Sequence, residues 1–156
     1  MKKLEIEFEQ VVKQYKNTIY TVCFMFSKDS REVNDLFRDV LVNLWKGFDT
    51  FKGESNIGTW IWRVSLNTCI SSDRKKKIVS VPLIMGIDLF EDRDEDTTQI
   101  KMLYNRISRL KHFDRAIVLL WLENFSYEEI AAIVGISVKN VSVRLFRIKE
   151  ELKKNV

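Results

Sequence analysis

Between Ser137 and Lys149 the chain carries Lys139, Arg144, Arg147 and Lys149 and no carboxylate. Ammonium and guanidinium groups without neighbouring acids suit one chemistry above others: neutralising phosphates and donating to the acceptor edges of guanine. Residues suited to covalent chemistry are sparse by comparison. His112 is the only histidine, and Cys23 and Cys69 stand far apart without a CxxC pair or a histidine cluster. No glycine-rich phosphate loop and no metal-ligand spacing occurs. Asp35 and Asp39 can share a helix face at i and i+4, but paired carboxylates on a helix surface are commonplace. The sequence therefore predicts a binding protein and not an enzyme, with no catalytic residue, metal, cofactor or small-molecule substrate. Both thiols are read as buried and reduced.

The basic segment needs elements that hold it outward. Ser126-Tyr127-Glu128-Glu129 is a capping-box pattern opening a helix through Ile130, Ala131 and Val134. Gly135 supplies the positive φ of a tight turn, and Ser137 caps a second helix. Val141, Leu145, Ile148 and Leu152 repeat at helical spacing and are expected to pack inward, while Ala131 is small where two helices would cross. A step of about 100° per residue then turns Lys139, Ser142, Val143, Phe146 and Arg147 to the opposite side. This is a helix-turn-helix pattern. Ala116 to Leu122 is nearly all apolar and must be buried beside it, preceded by a helix with Ile100, Leu103, Tyr104, Ile107 and Leu110 on one face.

The N-terminal half reads as three further helices. Phe8, Val12, Tyr15, Ile19, Val22 and Phe26 lay down one stripe, and Asp29 with Glu32 caps a second helix striped by Val33, Phe37, Val40, Leu44 and Phe48. Lys52 to Gly58 reads as a polar loop. A third helix then runs from about Ile57 to the basic run Arg74, Lys75, Lys76, Lys77, with Trp60 in phase with Ile57, Ile61 and Val64, and with Trp62 and Asn67 out of phase and able to face solvent. Periodicity fails from Ile78 to Asp96, where Pro82 and Gly86 precede the acidic cluster Glu91, Asp92, Asp94, Glu95 and Asp96. The expectation is an all-α chain: a helical domain at 1–77, a flexible acidic linker at 78–96, and a helix-turn-helix domain at 97–156. Few turn-forming residues, one Pro and five Gly in 156 residues, support long helices. Residues 1–77 carry 14 basic and 10 acidic side chains, 78–96 one and six, and 97–156 eleven and six, so both ends are suited to polyanions. No run of about 18 apolar residues occurs, and a cytoplasmic location without membrane insertion is expected.

Tyr127-Glu-Glu-Ile-Ala-Ala-Ile-Val-Gly-Ile-Ser137 followed by Val141 to Arg147 resembles the second domain of extracytoplasmic-function sigma factors. Asp35-Leu-Phe-Arg-Asp-Val40 with Leu44 and Trp45 resembles that family's polymerase-binding segment. Phe51-Lys-Gly53, Thr59-Trp60, Arg63 and Asn67 resemble its promoter-melting segment. The resemblance implies a promoter-specificity subunit whose partners are core RNA polymerase, promoter DNA and an inhibitory anti-sigma factor. It implies polymerase docking through Asp35, Asp39, Val40 and Trp45. Leu44 is more readily core, and Trp45 could serve either purpose. Contacts to the minus-10 element fall to Asn56, Trp62, Arg63, Asn67, Arg74 and Lys75, with aromatic rings available to stack on an unpaired base. Contacts to the minus-35 duplex fall to Ser137, Lys139, Asn140, Ser142, Val143, Arg144, Phe146 and Arg147. Arg38 stands where the family often has Gln, and Ser142-Val143 where a basic residue followed by Ser is common, which leaves base preference and docking detail open. The competing reading is a helix-turn-helix regulator that acts without polymerase. Such proteins usually dimerise, and no dimerisation helix is evident.

Overall fold

A computed structural model describes residues 3–51, 56–75 and 95–154. The chain divides into two compact units, Met1–Val79 and Ser80–Val156. Among the described residues all regular structure is helical.

The first unit consists of α1 (Lys3–Met25), α2 (Ser30–Phe48) and α3 (Ile57–Lys75), each packed against the other two. At the end of α1 the buried Ser27 hydroxyl donates to the Cys23 carbonyl, so a polar group enters the core already satisfied. Asp29, in extended conformation, then caps α2 by accepting the Glu32 N–H at 2.9 Å. Asn56 caps α3, its side-chain oxygen accepting the Gly58 N–H at 2.7 Å. Gly58 lies so close to α1 that an added Cβ would sit 3.3 Å from the Tyr15 ring. The core joins Ile19, Val22 and Phe26 to Val33, Leu36, Val40 and Leu44 and to Ile61, Leu66, Cys69 and Ile70. Both cysteines are buried and unbridged.

The second unit consists of α4 (Glu95–Ser108), α5 (His112–Leu122), α6 (Tyr127–Val134) and α7 (Val138–Lys154). Helix α5 packs on α6 and α7, which pack on each other, and α4 touches α5. Ala116 to Leu120 are buried, as an apolar run of that density requires. Ile107 and Leu110 are buried as expected, Leu103 and Tyr104 partly so, and the side chain of Ile100 lies outside the described residues. Asn124 closes α5 at φ 66°, a left-handed position that Asn tolerates better than most residues. The Ser126–Glu129 capping box is complete: the Ser126 hydroxyl accepts the Glu129 N–H at 3.1 Å, and the Glu129 carboxylate accepts the Ser126 N–H at 2.9 Å. Gly135 follows at φ 83°, and both its N–H and that of Ile136 donate to the Ala131 carbonyl. Ser137 caps α7 by accepting the Asn140 N–H at 3.1 Å.

The expected linker lies outside the described residues for 78–94, and its last two residues, Glu95 and Asp96, belong to α4. Space around Gly135 is open, so a methyl group there meets no neighbour and the cost of replacing it is conformational. Gly135→Ala is expected to destabilise the second unit by about 1 kcal/mol, lowering its melting temperature by about 4–8 °C. Thermal denaturation of the full chain checks this, and an unchanged melting curve would show that the turn does not need its left-handed residue.

Candidate nucleic-acid and polymerase interfaces

Helix α7 buries one face and presents the other. Val141, Leu145 and Ile148 are fully buried, whereas Ser137, Lys139, Asn140, Ser142, Val143, Phe146 and Arg147 are exposed. Phe146 is 70% exposed, the most of any large apolar side chain described. Leaving a phenylalanine in water forgoes about 1.5–3 kcal/mol of burial, so its place on an otherwise polar, basic face favours a partner surface.

The cations on α7 divide into two groups. The Arg144 guanidinium donates to the Asp114 carboxylate of α5 at 3.2 Å, and the Lys149 ammonium lies 4.3 Å from the centre of the Trp121 ring. These two fasten α7 to α5 from its flanks. Lys139 and Arg147 project from the outward face, near the exposed amide of Asn140 and hydroxyl of Ser142. A helix of this width fits the major groove of duplex DNA, and this face offers both phosphate-neutralising and base-reading groups. Of the eight residues that sequence reasoning assigned to duplex contact, seven are exposed. Arg144 is partly buried and engaged by Asp114, a pairing that α7's own sequence does not reveal.

In the first unit Asp35 and Asp39 are exposed on α2, with Trp45 42% exposed and Val42 46% exposed beside them. Together they make a surface of carboxylates bordering an apolar patch. The Trp45 ring is braced from beneath by Phe8 of α1, edge-on with centroids 5.1 Å apart. Val40, which the resemblance placed in this surface, is instead fully buried. It lies on the core stripe of α2 between Leu36 and Leu44, and one helix face cannot serve both purposes. Val42, passed over in the sequence, takes its place at the surface.

The expected base-stacking Trp62 also needs correction, since it is buried at 7% exposure. The α3 core stripe is Ile61, Trp62, Ser65, Leu66, Cys69 and Ile70, rotated from the one expected on Ile57, Trp60, Ile61 and Val64. Trp60 is half-buried in an aromatic cluster, stacked on Phe51 at 4.9 Å and tilted against Phe48 at 6.5 Å. Asn67 is exposed and Arg63 half-buried. Asn56 is exposed, with its side-chain oxygen committed to capping α3. The side chains of Arg74 and Lys75, the rest of the basic run at 76–77, and the loop residues 52–55 lie outside the described residues. Between α2 and α3 runs an open groove of about 660 Å³, lined among others by Asp39, Asn43, Lys46, Asn67 and Thr68. The Asn43 amide donates to the Thr68 hydroxyl at 2.9 Å, which in turn donates to the Val64 carbonyl at 2.7 Å. Periodicity alone does not disclose this polar clasp.

Compared with known families, residues 11–78 match sigma-70 region 2 and residues 100–152 match sigma-70 region 4. The chain belongs to the sigma-70 family of RNA polymerase sigma factors. It is of the extracytoplasmic-function type. It is 29% identical to RNA polymerase sigma factor YlaC of Bacillus subtilis (strain 168), covering 95% of this chain and 91% of that one. It is 27% identical to ECF RNA polymerase sigma factor SigW of the same organism, covering 96% and 88%. Its fold is that of the sigma factor RpoE from Bartonella quintana, solved in complex with the anti-sigma factor NepR. The TM-score is 0.74 at 21% identity, over 95% of each chain. This sigma factor is therefore a promoter-specificity subunit of RNA polymerase. A polymerase-independent regulator would leave the match to region 2 without a role. Among the described residues, no helix is long and apolar enough to cross a membrane.

Because Trp62 belongs to the core, Trp62→Ala is expected to cost about 3–5 kcal/mol of stability in urea denaturation. A loss below about 1 kcal/mol would return the ring to the surface and reopen a stacking role.

Proposed function

We propose that the two units divide promoter recognition, the first docking on core RNA polymerase and opening the minus-10 element, the second reading the minus-35 element as duplex. The observation that carries this reading is the two-faced α7: Val141, Leu145 and Ile148 are buried while Lys139, Ser142, Val143, Phe146 and Arg147 face outward on a segment without carboxylates. In this reading α7 enters the major groove, with Lys139 on phosphate and Arg147 donating to base edges. Ser137 and Asn140 lie at the helix start, where N–H groups and short polar side chains favour backbone phosphates.

Docking falls to Asp35 and Asp39, acceptors for basic groups on the polymerase, and to the apolar pair Val42 and Trp45. Minus-10 contacts fall to Asn67 and Arg63 on α3 and to the Asn56 amide, joined by Arg74 and Lys75 at its basic end. The acidic stretch around Glu91 to Asp96 suits occupation of a basic channel on the polymerase. An anti-sigma factor is the natural inhibitor, as NepR is a partner of the Bartonella quintana RpoE. Such a protein acts with polymerase and so in the cytoplasm, and the chemistry of transcription belongs to the polymerase.

Mapping transcript starts on genomic fragments, with core polymerase alone and with this chain added, tests the proposal. New starts sharing an upstream two-part motif are expected only with the chain, and identical starts under both conditions would defeat it. Arg147→Ala is expected to cost about 1–3 kcal/mol in minus-35 recognition while leaving association with core polymerase intact. Trp45→Ala should give the reverse pattern, weakening association with polymerase while leaving minus-35 recognition by the second unit intact. If both variants weakened the same step, the division of labour would be wrong.

A further inference from the structure

The outward face of α7 carries an apolar pair that neither phosphate contact nor hydrogen bonding to bases employs. Val143 is 48% exposed and Phe146 lies one turn along the same helix. Both stand within the stretch that contains Lys139 and Arg147 and no acid, so the patch is bordered by positive charge. A protein partner that sought only an apolar surface would have no use for that border, whereas a polyanion would be held by it. On the major-groove edges of DNA the one apolar group is the C5-methyl of thymine. Valine at 143 offers two methyl groups and no donor, so it can meet a base edge only by apolar contact. The aromatic edge of Phe146 extends the same surface by one helical turn.

We propose that Val143 and Phe146 form a thymine-methyl-reading site, which makes this sigma factor select A·T pairs in its minus-35 element by apolar contact. The inference rests on the duplex-reading role assigned to α7 above, and adds to it a chemical specificity. Burying one methyl is worth about fourfold in affinity, which sets the size of the expected effect.

The test uses holoenzyme assembled from core polymerase and the full chain, on a promoter found by transcript-start mapping. Deoxyuridine replaces thymidine one position at a time through the minus-35 element, removing only the methyl and keeping the pairing and the O4 acceptor. With the wild-type chain, binding is expected to weaken about fourfold at one or two positions. Val143→Ser and Phe146→Ala change exposed residues, so both variants should keep the wild-type melting temperature. Each should bind the thymine promoter more weakly, and each should lose the uracil penalty at its own position. Equal uracil penalties in wild type and variants would mean that DNA shape is being read, and would overturn the proposal. A minus-35 element that is recognised with no uracil penalty at any position would overturn it as well, while leaving the duplex-reading role intact. Loss of all dependence on minus-35 sequence would bring down both.

Discussion

What the second unit can do depends on the left-handed glycine between α6 and α7. Gly135 reverses the chain within one residue of α6, and the paired donation of its own and the Ile136 N–H to the Ala131 carbonyl fixes where α7 begins. The rotation of α7 about its axis is then set by burial. A slip of one residue would turn the helix by about 100°, pushing polar side chains into the core and Val141 and Leu145 into water. Arg144 on Asp114 and Lys149 on Trp121 hold the same phase from the flanks. The proposed reading face is therefore the complement of a packing solution, and its residues are aimed by the buried side chains of the same helix.

A comparable economy governs the first unit. Phe51, Trp60, Phe48, Phe8 and Trp45 form successive ring contacts that pass from the chain just before residues 52–55 to the exposed edge of α2. One aromatic layer thus supports both the proposed docking surface and the approach to the proposed melting loop. Trp45 is half of that surface's apolar pair only because Phe8 occupies the space beneath it. Pair contacts of this geometry are worth about 0.5–1.5 kcal/mol each beyond burial, enough to hold a ring that is partly in water.

Elements and caps were legible in the sequence because their signals are local. The Ser126–Glu129 box, Gly135, the Ser137 cap and the Val141, Leu145, Ile148 stripe each rest on a residue type whose conformational or hydrogen-bonding preference acts within about four residues. The phase of α3 was not legible for a physical reason. Ser65 and Cys69 occupy the middle of its buried stripe, while the strongly apolar Trp60 and Val64 sit on its flanks, Val64 lining the groove toward α2. Hydrophobicity thus pointed to the wrong centre, and Trp62 was assigned to solvent. The exposure of Val42, the diversion of Arg144 to Asp114 and the Asn43–Thr68 clasp depend on neighbours about 20 or more residues away, which periodicity cannot weigh.

The distribution of cations bears on why such a chain would need its polymerase. Two of the four between Ser137 and Lys149 are drawn into intramolecular contacts, so the outward charge of that stretch comes from Lys139 and Arg147. Each phosphate neutralised contributes roughly one unit to the salt dependence of binding, and tight sites make about 6–10 such contacts. In the proposed reading role, a face this sparsely charged would supply discrimination more than hold. Hold must come from elsewhere, and linking it through a shared polymerase to a second DNA contact would supply it by raising the local concentration of each site at the other. Weak individual modules would then be an advantage: neither unit alone would dwell on non-promoter DNA, and only a sequence presenting both elements at the spacing the polymerase imposes would retain the assembly.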